Sequence, residues 1–182
     1  MTPEQALFLR EFLLPALISE QAVTGRIIAA IPPGQEDYRP QPKSWTALRL
    51  ARHLAGTEMW FLHAVIHGQF RDGLGPSDEV KTGAAMAQWY ADAFAQRLPQ
   101  LEAMTVEELL RPVDWLGLRN DPAVTYLNIA IRHAVHHRGQ LSTYLRAMGA
   151  KVPAIYVASM DEPFGASPED IAAGRVAGPP AF

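Results

Sequence analysis

Four long stretches of the chain carry apolar residues at the three- and four-residue spacing of a single helix face. Polar and charged residues fill the positions between them, and prolines and glycines separate one stretch from the next. The pattern predicts helices over residues 3–31, 44–68, 77–104 and 121–149. Pro15 lies inside the first of these ranges and is expected to kink that helix or to split it in two.

Side chains that can accept a hydrogen bond from the first helical turn precede the middle helices. Ser44 is predicted to cap the second long helix, and Ser77 is predicted to cap the third. Thr105 and Glu108 have the spacing of a capping box, in which each side chain bonds the backbone of the other. This pair predicts a short additional helix after the third long one.

The last long helix has signals at both ends. Asp121 followed by Pro122 is typical of an N-cap and a first helical residue, and Gly149 is typical of a helix C-terminus. No segment alternates apolar and polar residues with the β-branched side chains of strands, so we predict no sheet. The sequence therefore predicts an all-α protein, a four-helix bundle with long connections between its helices.

The length of 182 residues suits one compact domain followed by a tail. Residues 1–150 are predicted to form the bundle. Residues 151–182, rich in proline, glycine and alanine, are predicted to form an irregular C-terminal tail. A hydrophobic content of 48% with 19% charged residues favours a packed core over disorder.

The charge pattern argues against two classes of partner. Sixteen lysines and arginines against 19 acidic residues give a net charge of −3, and no basic run occurs. Nucleic-acid binders and membrane-surface helices usually carry such runs. The longest apolar runs fall short of the roughly 20 residues of a membrane span, and no basic start of a secretory signal precedes them. We expect a soluble, cytoplasmic protein with no nucleic-acid or membrane partner.

The chain has six histidines and no cysteine. A disulfide framework, a thiol nucleophile and thiolate metal sites are therefore excluded, and any metal ligands must be nitrogen or oxygen atoms. The histidines fall into two groups, one in each of two predicted helices: His53, His63 and His67, and His133, His136 and His137. This clustering is the strongest functional signal in the sequence.

His133 and His137 are four residues apart, a spacing that brings two imidazoles together on one helix face. Ala134 stands where the HExxH motif of metalloproteases has its glutamate, so that chemistry is not indicated. A stable site needs a third ligand from another helix. A helical wheel favours His53, at the border of the apolar face. The remaining histidines fall on polar sides and are predicted to be surface residues: His63, His67 and His136.

Several of these features also have a structural explanation. A pair of histidines at this spacing is by itself a weak signal, and an isolated histidine is more often a packing residue. Gln140 and Tyr144 can contact a substrate, support the ligands, or serve helix packing or a dimer contact. Arg138 lies near the core side and can neutralise a buried carboxylate or cross a dimer interface. Three candidate acid–base groups have no predicted place near the histidines: Glu20, Glu58 and Asp114.

The run HAVHHRGQLSTYLR at residues 133–146 resembles the signature fourth helix of the DinB-like family. MGAKVP at 148–153, KSWT at 43–46, LARHL at 50–54 and AAIP at 29–32 resemble other parts of that family, and the likeness covers about residues 5–156. The resemblance implies a DinB-like four-helix bundle with a divalent ion held by His53, His133 and His137. The helical wheel favours the same three residues.

The resemblance also implies a homodimer and a metal that is zinc or nickel. The wider superfamily includes transferases and isomerases that use low-molecular-weight thiols. Three neutral imidazoles with an open position are typical of catalytic sites. We expect a metal-dependent protein that acts on a small molecule, with a thiol transferase or a hydrolase as the reaction type and no further cofactor. The alternative is a non-catalytic, stress-related dimeric metal-binding bundle, which the lack of any placed general base favours.

Overall fold

The structure is a computed structural model that describes residues 1–163 together with residues 167, 169, 170 and 173. Five helices and two short strands make up this described part of the chain. In chain order they are α1 (Pro3–Ala29), α2 (Ala47–His67), α3 (Gly83–Glu102), α4 (Val106–Leu110), β1 (Pro112–Trp115), β2 (Arg119–Pro122) and α5 (Thr125–Ala147).

The four long helices form a bundle in which each packs against two neighbours. Helix α1 contacts α3 and α5, and α2 contacts the same two helices from the other side. Their apolar faces meet in one core, which includes Leu17, Leu54, Tyr90 and Leu141. The prediction of an all-α bundle is confirmed, and α2 and α5 lie side by side within it.

Helix α1 runs through Pro15 without a break, so the expected split into two helices does not occur. A proline leaves the carbonyl four residues earlier without its helical partner. Here that carbonyl belongs to Glu11, and both Glu11 and Pro15 lie on the exposed face, where water can replace the lost bond.

The caps of α2 and α3 differ from the prediction. Thr46, not Ser44, accepts a hydrogen bond from the backbone N–H of Arg49, and Thr82, not Ser77, caps α3. Several hydroxyl residues precede each helix, and the sequence pattern does not distinguish them. The capping box of Thr105 with Glu108 is confirmed and begins α4.

The prediction that no sheet forms is wrong, because β1 and β2 pair as an antiparallel hairpin. Strands of four residues are too short to show an alternating pattern. The turn depends on Asp114, whose carboxylate accepts a hydrogen bond from the backbone N–H of Gly117 at 3.2 Å. Gly117 has a φ of 72°, a value that glycine adopts without steric cost.

The predicted start of the last helix is also wrong. Asp121 and Pro122 belong to β2, and α5 begins three residues later without a side-chain cap. The N–H groups of Ala123 and Val124 donate instead to backbone carbonyls of Arg111 and Leu109. These bonds anchor the entry to α5 on the end of α4. The N–H groups of Tyr126 and Leu127 in the first turn bond the carbonyls of Ala123 and Val124, so an aspartate cap is not needed.

After α5 the chain turns back along the bundle without helix or strand as far as residue 163. Asp161 accepts hydrogen bonds from the side chain of Arg146 at 2.7 Å and from the backbone of Val152 at 2.8 Å. Glu162 pairs with Arg26 of α1. Residues 164–166, 168, 171, 172 and 174–182 of the predicted tail lie outside the described residues. The division of the chain at residue 150 stays a prediction.

One helix of the described part, α1, is long and apolar enough to meet the length and composition of a membrane span. Core helices of soluble proteins meet the same criterion. Several apolar residues of α1, including Leu14, Leu17, Ile27 and Ile28, are buried in the bundle.

A chain of polar side chains crosses the bundle core. Arg138 of α5 is 1% exposed and pairs with Glu20 of α1 at 2.5 Å. Of the two roles left open by the sequence, this contact supports the neutralisation of a carboxylate in the bundle. It also donates to Thr24 at 3.2 Å. Glu58 of α2 is equally buried and accepts a hydrogen bond from the hydroxyl of Tyr90 at 2.8 Å. These bonds fix the rotation of α5 against α1 and of α2 against α3.

We expect Glu58→Gln to remove a pH dependence of the free energy of unfolding. Burial raises the pKa of Glu58 from 4.5 to about 8, although the bond from Tyr90 and the charge of Arg138 act in the opposite direction. The folded protein therefore keeps a proton that the unfolded chain releases, and stability falls as the pH rises through this window. The slope is at most about 1.4 kcal/mol per pH unit.

Urea denaturation of both proteins between about pH 5 and about pH 8 measures this difference. The exposed Glu79 provides a matched control, because Glu79→Gln removes a carboxyl group that is not buried. It is expected to keep the wild-type slope. Parallel pH curves for wild type and Glu58→Gln would contradict the assignment.

Candidate metal centre

The side-by-side packing of α2 and α5 brings three of the six histidines together. His53 projects from α2, and His133 and His137 project from α5, one turn apart. Nε2 of His53 lies 3.1 Å from Nε2 of His133 and 3.2 Å from Nε2 of His137. The group has the composition and spacing that can hold a metal ion.

These distances fit the coordination geometry of a divalent ion. Zinc–nitrogen bonds of about 2.0–2.1 Å place neighbouring nitrogens of a tetrahedral site roughly 3.3–3.4 Å apart. The observed separations of 3.1 and 3.2 Å lie close to that value. Three imidazole nitrogens that point at one position repel each other through their lone pairs unless a cation or a proton lies between them. The donor set therefore fits a metal ion.

All three imidazoles are in the neutral form that metal binding requires. Burial lowers the pKa of each ring, and for His133 the burial and the neighbouring imidazoles lower the pKa to about 3. In His53 the proximity of His137 adds to the effect. At neutral pH each ring therefore has an unprotonated nitrogen, and protons compete little with a metal ion for it.

Two polar side chains orient the rings from behind. Nδ1 of His137 donates a hydrogen bond to the side-chain carbonyl of Gln140 at 2.8 Å, which leaves Nε2 free as the ligand atom. The hydroxyl of Thr57 lies 3.3 Å from Nδ1 of His53. Such outer partners fix the tautomer and orientation of ligating histidines. Of the alternatives left open by the sequence, Gln140 supports a ligand.

Nδ1 of His133 is buried and has no hydrogen-bond partner among the described residues. Its ring lies beside Phe61, with ring centroids 6.1 Å apart. Phe61 belongs to a group of aromatic rings that closes this side of the centre and also includes Trp60, Phe70, Trp115 and Tyr126. The hairpin contributes Trp115 and therefore helps to keep water away from the back of the site.

The other three histidines are not part of this group, although the ring of His136 packs edge-to-face on that of His137. His136 and His67 are exposed, as predicted. His63 is only 9% exposed, which contradicts the prediction of a surface position. The helical wheel assigned a polar side to α2 because Arg49 and Arg52 lie there, but α3 covers the far end of that face. Burial is the main cause that lowers the pKa of His63, and Arg97 of α3 is close enough to contribute.

The candidate acid–base residues are all engaged elsewhere. Glu58 accepts a bond from Tyr90, Glu20 pairs with Arg138, and Asp114 holds the hairpin turn. Tyr144 lines a groove beside His137 and packs edge-to-face on Tyr38.

Three neighbours of the site were not predicted from the sequence: Thr57, Trp45 and Arg49. Thr57 follows His53 by four residues, the same spacing that identifies the histidine pair on α5, so a signal was present. Arg49 precedes His53 by the same four residues on α2, so it carried the same signal. Trp45 carries no such signal, because its position depends on how the chain enters α2.

Comparisons with known proteins agree with this architecture. The model of the DinB family matches residues 11–169. The uncharacterised protein YjoA of Bacillus subtilis strain 168 is 26% identical over 135 residues, which make up 72% of this chain and 86% of YjoA.

Two solved structures resemble the chain. The crystal structure of the DinB-like protein YjoA from Bacillus subtilis has a TM-score of 0.66 at 23% identity, covering 79% of this chain and 96% of YjoA. A DinB-like protein from Bacillus cereus ATCC 10987 has the same TM-score and identity, covering 80% and 97% of the two chains. These likenesses establish the fold.

We expect Gln140→Leu to weaken metal binding by about 10- to 100-fold, because His137 loses the acceptor that holds its ring in position. Competition with a chromophoric chelator measures the affinity. Gln140→Glu keeps an acceptor at the same place and is expected to restore most of it. Gln100→Leu, an exposed glutamine on α3, is the control. An unchanged affinity in Gln140→Leu would show that Gln140 does not support the site.

Proposed function

The chain belongs to the DinB family, and on that premise we propose that it is a divalent-metal protein whose three-histidine centre acts on a small molecule. The ligands in this proposal are His53, His133 and His137. The observation that supports it is the convergence of three neutral imidazoles from two helices at Nε2 separations of 3.1 and 3.2 Å. Three protein ligands are the number found in catalytic zinc sites, whereas structural sites use four.

A bound divalent ion supplies Lewis acidity, which promotes loss of a proton from a thiol or a water molecule. The protein contributes neutral ligands, so the positive charge of the ion is not offset by a carboxylate ligand. Gln140 and Thr57 keep two of the rings in place. The chain has no cysteine, so any thiol in the reaction must come from a substrate.

We propose a thiol transfer or a hydrolysis as the reaction, with a low-molecular-weight thiol as one substrate of the transferase. Zinc and nickel are the proposed metals, since both bind well to imidazole nitrogen. Open grooves border the histidines on either side, with volumes of about 360 Å³ next to His53 and about 460 Å³ next to His137. These volumes suit small molecules.

One observation favours a non-catalytic role. The carboxylates proposed from the sequence as acid–base groups are bonded elsewhere in the structure. A centre without a positioned base can still bind a metal for sequestration or assembly. The homodimer, the cytoplasmic location and a role in stress response stay predictions.

We expect the untagged protein to purify with about one zinc or nickel ion per chain, measured by plasma mass spectrometry. His53→Ala and His137→Ala are expected to lose most of it, because two imidazoles bind an ion far more weakly than three. His136→Ala is the matched control. It removes an exposed imidazole next to His137 and is expected to keep the metal. A low metal content that none of these substitutions changes would contradict the proposal.

The same preparations separate the two functional classes. Conjugation of glutathione, bacillithiol or mycothiol to electrophiles, lost in His137→Ala and kept in His136→Ala, would support the enzyme. Tight metal binding without turnover of any thiol or of ester and amide substrates would favour the non-catalytic role.

A further inference from the structure

Trp45 lies at the mouth of the histidine centre. Its ring packs edge-to-face on His53 with centroids 4.8 Å apart, and the residue is 37% exposed. One groove beside it contains Lys43 and reaches His137 and Gln140. The groove on its other side contains Arg49 and Arg52 and reaches His53. A molecule that approaches the histidines by either groove therefore passes Trp45 and a basic side chain.

Two of these basic side chains have no acidic partner. The guanidinium of Arg49 lies over the face of Trp45, 5.1 Å from the ring centre, and forms no ion pair among the described residues. Lys43 is exposed and likewise has no ion pair within the described part of the chain. Stacking on the indole holds Arg49 in place while leaving its N–H groups available.

Arg52 has a different role. It donates hydrogen bonds to the backbone carbonyls of Pro76, Ser77 and Val80, at 2.7, 3.0 and 2.9 Å. These bonds fix the connection between α2 and α3 against the groove. Arg52 therefore contributes a positive charge to the wall, but three of its five N–H donors are already used.

The charge at this mouth is opposite to that of the whole protein. The chain carries a net charge of −3, yet the two grooves beside Trp45 are lined by three basic residues and, among the described residues, no acidic one. A third groove adjoins the groove of Arg49 and Arg52 at His53, Gly56 and Thr57, and it is lined by Asp72 and by Trp60, Leu74 and glycines. A concentration of positive charge in a cleft attracts anions. An anion is therefore favoured beside Trp45 and disfavoured beside Asp72.

The backbone at this place cannot bind the anion by itself. The first N–H groups of α2 are already bonded, those of Ala47 and Leu48 to the carbonyls of Tyr38 and Glu36, and that of Arg49 to Thr46. Recognition must therefore come from side chains.

We propose that the substrate of the three-histidine centre carries an oxyanion, a carboxylate or a phosphate, which Arg49 binds beside Trp45, while the charge of Lys43 on the other side of the ring adds to the attraction. This inference rests on the proposed function, because it takes the histidines as the reacting centre. The planar fork of Arg49 can bind two oxygens at once, and Lys43 adds a second charge. Arg49 is a specificity determinant that contacts the substrate away from the reacting atoms.

The test uses the cobalt-loaded protein and three small thiols that differ in charge: 3-mercaptopropionate, 2-mercaptoethanol and cysteamine. Calorimetric titration measures each Kd. We expect Arg49→Gln to weaken binding of 3-mercaptopropionate by about 10-fold, as for loss of one charge-assisted hydrogen bond, and Lys43→Gln to weaken it by about 2- to 3-fold, as for loss of a nearby charge. Binding of the neutral 2-mercaptoethanol should change less than about 2-fold. The thiols differ in their own acidity, so the change caused by each substitution is the decisive quantity.

Lys151→Gln is the control, because it removes the same charge from an exposed position that lines neither groove. Equal effects of Arg49→Gln on the anionic and the neutral thiol would overturn the proposal, as would a loss in Lys151→Gln of the same size. Inorganic phosphate as a competitor distinguishes the two oxyanions, since it displaces 3-mercaptopropionate strongly only if the site favours phosphate.

Failure of the proposed function gives a different result. If the protein binds no metal or no thiol, titration with succinate, phosphate and the uncharged succinamide still tests the anion site. Binding of either anion that is lost in Arg49→Gln would support the inference without the metal. Absence of binding by both anions would overturn it.

Discussion

The packing of α2 against α5 is the contact on which the site depends. Three imidazoles lie with their nitrogens 3.1 and 3.2 Å apart, an arrangement that costs energy unless a cation lies between them. The bundle core fixes the two helices in spite of this cost. Both helices bury alanines, Ala51 and Ala55 on α2 and Ala130 and Ala134 on α5, whose small side chains permit close packing of helices. The site is thus positioned by the packing of these two helices.

Arg138 and His137 show how α5 both contributes to the histidine site and holds the bundle in register. They are neighbours in sequence and face opposite ways, His137 toward α2 and Arg138 toward α1. The buried ion pair of Arg138 with Glu20 is a geometric constraint more than a source of stability, because desolvation of two charges offsets much of their attraction. A rotation of α5 that moved His137 out of the centre would also leave Arg138 buried without its partner. The hydrogen bond from Arg138 to Tyr156 extends the same constraint to the segment after α5.

The four long helices were predictable because each repeats the three- and four-residue spacing of apolar residues over several turns. The three predicted ligands lie together for two reasons. His133 and His137 are four residues apart and therefore share one face of α5, and His53 lies at the border of the apolar face of α2, where the two helices pack together. The hairpin, the caps at Thr46 and Thr82 and the burial of His63 were not predictable in this way. They depend on contacts between distant parts of the chain, such as the backbone bonds from Ala123 to Arg111 and the cover that α3 places over α2.

The central claim is that three imidazoles from two helices bind one divalent ion and leave part of its coordination open. X-ray absorption spectroscopy of the zinc- or nickel-loaded protein measures this most directly. We predict three histidine nitrogens, at about 2.0–2.1 Å in the zinc form, with a light atom from solvent completing the sphere. With enough added metal to load the weakened site, His133→Ala should reduce the imidazole contribution by one ligand. A spectrum without imidazole scattering, or one that His133→Ala leaves unchanged, would contradict the claim.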